Sequence, residues 1–411
     1  MNRTDRESRQ APHCPWGVCS RRSFLRYAAA AAFLAKTASA QDLLAGMPAP
    51  KNIPRALTTL ALCKRYDYPA IRRSLAAMFD ELGDVRQLVK GKFVTVKINL
   101  VNVGEEHVQG LPVAMTVVVH PKVALAAVSL FADYGARQIR IVDQLPYRGA
   151  DAEAFARYGY DAKEFEQETD GRVRFVNTRN AGEYKKYDLV KVPYGGFIAN
   201  AWEVNKTYTE TDAFVSIGKL KSHVSGGVTM GMKNLIGVPP SSLYGDDLKN
   251  EPDENAVGYR SATMHTCEKK PFTSVETYTG KSVLGDHGFN IPHFIVDLAA
   301  ALPIDLVVVD GISAIQSAEG WWLRSIVSVA RPGLLLAGRN PVCADAVGAA
   351  VMGFNPEADH RTPPFVNGYN YLTLARQVGL GENRLANLEI GGVGLEKARF
   401  QYLPTYQRAR A

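Results

Sequence analysis

The chain has 411 residues, 48 Lys and Arg against 41 Asp and Glu, a formal net charge of +7, and 46% hydrophobic residues. That length is enough for one large or two modest domains with a sizeable core. Residues 1–40 carry seven basic and two acidic side chains, so only about +2 remains beyond them, and no Lys/Arg-rich block with interleaved aromatics follows; nucleic-acid binding is excluded on that basis.

Near the start, Ser20-Arg21-Arg22-Ser23-Phe24-Leu25-Arg26 sets two adjacent arginines before a Phe-Leu pair and an apolar run, Tyr27 to Leu34. This order is the twin-arginine export pattern. The run falls far short of the roughly 20 apolar residues that cross a bilayer, so no stable membrane span is expected. Ala38-Ser39-Ala40 supplies a small-x-small cleavage site and puts the mature start near Gln41. The expected location is the periplasm or beyond, with the twin-arginine translocase as partner during export. Because that route carries folded proteins, it favours an enzyme loaded with a cofactor before transport.

Of five cysteines, Cys14 and Cys19 lie in the export segment, leaving Cys63, Cys267 and Cys343 far apart. Without a Cys-x-x-Cys pair the mature chain lacks the usual spacing for an iron–sulfur cluster or a zinc ribbon. One disulfide at most is possible, and its pairing stays open.

Residues 41–58 read as a linker. A helix is predicted over Tyr68 to Leu82, then a strand from Phe93 to Leu100 whose apolar, largely β-branched residues mostly alternate with polar ones. Pro121 to Tyr134 follows as an apolar helix ended by Gly135, and Gln138 to Asp143 as the next strand. Strand, helix, strand in succession predicts an α/β fold with a mostly parallel sheet and flanking helices. Further strands are expected at Ala213 to Ile217, Leu306 to Asp310 and Leu334 to Gly338, with a buried helix over Asp345 to Met352. Residues 239–292 show little periodicity and read as a long loop or lid. The expected division is an N-terminal α/β lobe at 59–238 and a C-terminal one at 293–411, with the site between them.

The candidate working segment runs from Lys219 to Gly237, KLKSHVSGGVTMGMKNLIG, and packs lysines, a histidine, hydroxyls and glycines behind a predicted strand. In an open α/β sheet, ligands sit at the carboxyl ends of strands, and glycines there let backbone N–H groups approach an anion. Neither the P-loop pattern nor G-x-G-x-x-G is present. A glycine-rich turn with solvated lysines is the competing reading. His223 suits proton exchange near neutrality. Lys97, Lys219, Lys221 and Lys233 would make an electropositive pocket that lowers a lysine's own pKa.

This segment resembles the signature of the domain of unknown function family 362, a lysine, Thr/Ser, His stretch leading to Lys-Asn-Leu-x-Gly. Val96-Lys97-Ile98-Asn99, Gly135-Ala136, Val309-Asp310-Gly311-Ile312, Gly338 to Val347, Met352-Gly353, Gly379 to Glu382 and Glu389 to Gly392 agree in order. Some members of that family carry ferredoxin-like cysteines; this chain lacks them, so an iron–sulfur cluster is not expected here. The loop is also similar to that of the nickel-pincer lactate racemases, with His223, Ser225-Gly226-Gly227 and Lys233 in comparable order. That similarity implies a general acid/base at His223, a tethered cofactor or substrate charge at Lys233, and a metal ligand at His265. It departs in Val228 to Met232, which replaces a more glycine-rich approach, and in having no histidine to match near Asp143.

The remaining candidates are weaker in pattern. His265 and Cys267 could hold a soft metal such as nickel or iron. Asp143 and Asp310 end predicted strands and face either a ligand or the next helix. Asp345 is a carboxylate in apolar company and is expected to pair with a lysine of the signature loop. Glu319-Gly320-Trp321-Trp322 reads as pocket wall or packing, and His287 and His293 as structural. The leading expectation is an exported enzyme, racemase- or oxidoreductase-like, acting on a small anionic molecule with a metal or a covalently held cofactor. His223, Lys233 and Asp345 would be catalytic, and Lys97, Asn99, Lys221, Ser225, Gly226, Gly227 and Asn234 would bind substrate or cofactor. The rival is a periplasmic binding protein that holds an anion without turnover.

Overall fold

The structure, a computed structural model, describes residues 43–44, 50, 52–101, 106–179, 187–246, 259–273 and 276–407. The export motif and its cleavage site lie outside the described residues. Eight strands form the main sheet: β1 Thr58–Leu62, β2 Phe93–Ile98, β3 Gln138–Asp143, β4 Val173–Asn177, β5 Ala213–Lys219, β6 Leu306–Gly311, β7 Leu334–Gly338 and β8 Ile390–Gly392. Their spatial order is β8-β1-β7-β6-β5-β2-β3-β4. From β6 across to β4 the pairing is parallel, and β7 runs antiparallel to both β6 and β1.

Helices cover both faces, as a mostly parallel sheet requires, since its strands are apolar on both sides. On one face, α1 (Tyr68–Leu82) and α2 (Pro121–Asp133) pack with Val94, Val96, Ile98, Ile139 and Ile141. On the other, α3 (His287–Ala301) and α4 (Pro341–Val351) pack with Val142, Val307, Leu334 and Leu336. The mostly parallel α/β class expected from the alternating pattern is what is found. Helix α2 stops where Gly135 adopts φ +88°: its N–H bonds the Ala132 carbonyl and that of Ala136 bonds the Phe131 carbonyl, both at 2.9 Å. This is the Schellman arrangement that a glycine after the last turn allows.

The sheet does not divide at the expected lobe boundaries. Strand β1, from the first expected lobe, lies between β7 and β8 of the last, so both segments build one continuous sheet. The stretch 239–292 also holds more order than expected, because α3 begins inside it. Asp286 caps that helix, accepting from the Phe289 N–H at 2.9 Å. Pro292, within the helix, cannot bond the Gly288 carbonyl; the Tyr369 N–H takes that carbonyl instead at 3.0 Å. Among the described residues no helix is long and apolar enough to cross a membrane.

Gly218 in β5 lets the backbone at Met230 close onto the sheet. A Cβ there would meet the backbone of Met230, at 2.6 Å from its carbonyl carbon. Backbone on both sides leaves little room to relax. Gly218→Ala is therefore expected to lower stability by about 1–3 kcal/mol, read as a lower urea midpoint; an unchanged midpoint would refute the close approach.

Candidate functional site

The site grows from the carboxyl ends of β2, β3, β5 and β6, where the parallel strands deliver Lys97, Asp143, Lys219 and Asp310. Lys97 is 1% exposed and its Nζ meets Asp143 Oδ1 at 2.7 Å, donating also to the Ile98 carbonyl and to Asn234 Oδ1. Asp143 further accepts from the Leu100 and Gln144 N–H groups. Across the sheet, Lys219 meets Asp310 Oδ2 at 2.8 Å and the Tyr66 hydroxyl at 2.9 Å. Tyr66 stacks on His120, whose backbone N–H also donates to Asp310. Both lysines are thus buried with a carboxylate each. Neither Tyr66 nor His120 stands out in the sequence, since their partner is a strand-end aspartate 190 or more positions away.

After β5 the chain forms a small hairpin, Lys221–His223 paired with Gly227–Thr229. Its turn is fixed by His223, whose Nδ1 accepts from the Ser225 N–H at 3.1 Å and the Gly226 N–H at 3.0 Å. The ring proton therefore resides on Nε2 in the neutral histidine. Gly227, at φ +74°, completes the turn where a Cβ would collide with Phe365. Gly226 is the floor under Lys233: a Cβ on it would lie 3.3 Å from Lys233 Cδ and Cε and 3.6 Å from His223 Nδ1. Ser225, buried, contributes its backbone to this turn.

The Lys-Asn-Leu-x-Gly motif is the 3-10 turn Lys233–Gly237, and three of its residues have separable tasks. Lys233 projects to the hairpin. Asn234 is a clamp, accepting from Lys97 Nζ and donating to the Lys97 carbonyl and Ser216 Oγ, each at 3.0 Å. Gly237 leaves room for the buried ion pair, since its Cβ would lie 2.9 Å from Lys97 Nζ and 3.3 Å from Asp143 Oδ1.

Lys221 and Lys233 differ from the other two lysines. Lys221 is 1% exposed and its Nζ donates to the Val117 carbonyl at 2.8 Å. Lys233 is partly exposed. Among the described residues no carboxylate comes within ion-pairing distance of either, and Lys233 makes no side-chain hydrogen bond to any of them. Burial, then the charge of Lys233, holds Lys221 well below the ordinary lysine range, against the pull of Glu319. Burial also brings Lys233 down to about 8, opposed by Glu319 and reinforced by Lys97. Glu319, 7% exposed, is anchored by the Val224 N–H at 2.8 Å, which brings the Glu319-Gly320-Trp321-Trp322 segment to the cluster. Half-buried Arg260 adds positive charge beside Asp143 and Lys97. Asn99 Oδ1, Ser222 Oγ and Thr229 Oγ1 are buried nearby with no hydrogen-bond partner among the described residues, a state that a bound water or ligand relieves.

Asp345 is not where the sequence suggested. Rather than pairing with a lysine, it lies behind the loop on α4 and accepts from the Gly231 N–H at 2.8 Å, the Met232 N–H at 3.0 Å and the Tyr371 hydroxyl at 2.9 Å. Its role is to hold the approach to Lys233, and a backbone partner leaves no mark in the sequence. Cys63, Cys267 and Cys343 are free thiols. His265 sits against His287, ring centroids 5.6 Å apart, and burial, then His287 and Lys233, push it down to about 3. It is a neutral imidazole with a buried, unpartnered Nδ1. His293 stacks on Phe289 within α3.

A family model described as domain of unknown function (DUF362) matches residues 94–350. The chain belongs to that family. The match contains the strand ends, the hairpin, the Lys233–Gly237 turn and Asp345, so the DUF362 region includes the lysine cluster. No curated protein matches. Among solved structures, a Thermotoga maritima protein determined by a structural genomics consortium is similar at 15% identity and a TM-score of 0.34, over 64% of this chain and 54% of that one. The chain thus spans about half the length of that protein.

His265, expected from the sequence as a metal ligand, raises the question of a metal. Among the described residues no three His, Cys, Asp or Glu side chains converge, and His265 is a single buried donor. A metal held by these side chains alone fits this region poorly.

Asp345 makes stability depend on pH. Burial raises its carboxyl to about 7, whereas the unfolded chain ionises near the ordinary value of about 4. Its contribution to stability is full below that lower value and is lost as pH rises through about 7. Compared with Asp345→Asn, the native chain is expected to lose stability steadily over that window. A difference between the two denaturation curves that stays flat with pH would overturn this.

Proposed function

We propose that this DUF362 protein is an exported enzyme that binds a small anionic molecule over the hairpin and turns it over with Lys233. The observation that carries this reading is the buried surplus of positive charge. Lys221 and Lys233 share Glu319 only at a distance, while a buried ammonium without a counter-ion is disfavoured by several kcal/mol. An arriving carboxylate or phosphate supplies the missing charge. Partly exposed Lys233 is the reactive group, being an amine whose free base is accessible near neutral pH. His223 positions Lys233 by fixing the Ser225–Gly226 turn beneath it, and Nε2 is its proton-bearing edge. Asp345 and Asn234 act further back, holding the loop and the Lys97 ion pair.

The export signal and the periplasmic location belong to the same proposal, supported by the order of arginines, apolar run and cleavage site. They favour an enzyme over a binding protein because a folded, loaded protein is what that route carries.

Anion binding should take up protons, because the bound charge restores Lys221 and Lys233 to their ammonium forms. Affinity for inorganic phosphate or a small carboxylate is then full below the Lys233 value of about 8 and falls as pH rises through it. Calorimetry in buffers of different ionisation heat reads the uptake directly. Lys233→Ala is expected to weaken binding about tenfold or more, the range of a charge-assisted hydrogen bond. Binding that is indifferent to both pH and Lys233 would refute the site. Turnover is read by proton NMR in heavy water: exchange at the carbon beside the ligand's carboxylate supports an enzyme, and tight binding without exchange or product supports a carrier.

A further inference from the structure

We propose that the anion is a 2-oxo acid and that Lys233 Nζ forms an iminium with its carbonyl carbon. This rests on the anion-site reading and names the substrate class and the bond formed.

The two unanswered lysines are unlike in access. Lys221 is 1% exposed and its Nζ is committed to the Val117 carbonyl, so it serves as charge and not as nucleophile. Lys233 is partly exposed, and its Nζ has no hydrogen bond or ion pair among the described residues, with its stem running over Gly226. One site therefore offers a fixed amine that an arriving carboxylate restores to its ammonium form, and a separate amine free of any hydrogen bond. A 2-oxo acid presents the complementary pair, a carboxylate and an electrophilic carbon one bond apart. Amines in such surroundings are nucleophiles because burial and neighbouring cations keep part of the population unprotonated.

The step balances without a further reactant. The Lys233 nitrogen lone pair forms the C–N bond while the carbonyl π pair moves to oxygen. One proton passes from nitrogen to that oxygen, giving a carbinolamine. The hydroxyl takes a second proton from solvent and leaves as water, and the nitrogen lone pair closes the C=N bond. No electrons enter or leave the pair of reactants. The iminium then draws electrons from the adjacent carbons, which labilises a neighbouring C–H or C–C bond.

Trapping tests this on the mature, full-length protein. Pyruvate is added with sodium cyanoborohydride, which reduces an iminium to a stable secondary amine, and the protein is mapped by peptide mass spectrometry. The expected result is one reduced pyruvate adduct, on Lys233, suppressed by excess inorganic phosphate and missing from Lys233→Arg. The native protein's own peptide map locates the adduct, so a poorly folding variant does not blunt the test. If calorimetry shows pyruvate bound and Lys233 stays unmodified, or adducts scatter over surface lysines, the iminium is refuted and the anion site stands. If pyruvate and phosphate both fail to bind, both readings fall.

Discussion

Buried positive charge at one edge of the sheet is the constraint on which the rest of this molecule depends. Ammonium groups leave water only where something else solvates them, and here Lys97 and Lys219 are answered by Asp143 and Asp310 at contacts of 2.7 Å and 2.8 Å. Those pairs lie at the carboxyl ends of neighbouring parallel strands, so they fasten the sheet where loops depart. Lys221 and Lys233 are drawn into the same region without equivalent partners among the described residues. The desolvation they suffer is the reservoir from which binding an anion draws.

Much of the surrounding architecture keeps that arrangement from relaxing. Asn234 saturates its amide between Lys97 and Ser216, and Gly237 gives the ion pair its space. Asp345, itself held by the Tyr371 hydroxyl, accepts from the Gly231 and Met232 N–H groups from behind, which joins α4 and the following helix Tyr371–Gln377 to the loop. On the other side, the Tyr369 N–H takes the carbonyl that Pro292 leaves unused in α3. These ties are hydrogen bonds, most of them to backbone or amide groups, and they fix geometry. A preorganised site of this sort spends little on ordering itself when ligand arrives.

The parts of this structure that sequence displays are those governed by local rules. Helix α1 over Tyr68–Leu82, strand β3 over Gln138–Asp143 and the glycine stop at Gly135 follow from periodicity and turn chemistry. Strand β1 escapes because five residues, TTLAL, follow a stretch that reads as linker, and only pairing with β7 and β8 makes them a strand. Helix α3 escapes because it is buried along nearly its whole length and holds Gly288 and Pro292, so it shows neither an amphipathic stripe nor good local propensity. Two lobes were expected where the chain weaves one sheet, since strand order is a non-local property. At the site, the glycine and lysine content of the 219–237 segment marks the hairpin that gathers Lys221, His223 and Lys233. The contributions of Glu319, Arg260 and Tyr66 are set by contacts across the chain, and Asp345 could be recognised as buried but not as a holder of backbone amides.

The surplus of charge itself can be measured most directly by the pH dependence of Lys233 acylation, using a small neutral acylating reagent and peptide mass spectrometry. A lysine in the surroundings described reacts with a midpoint near 8, and adding inorganic phosphate moves that midpoint upward as the bound anion stabilises the ammonium. A midpoint near the ordinary lysine value of about 10.4, unmoved by phosphate, would mean that Lys233 is a solvated surface group and that no anion site exists there.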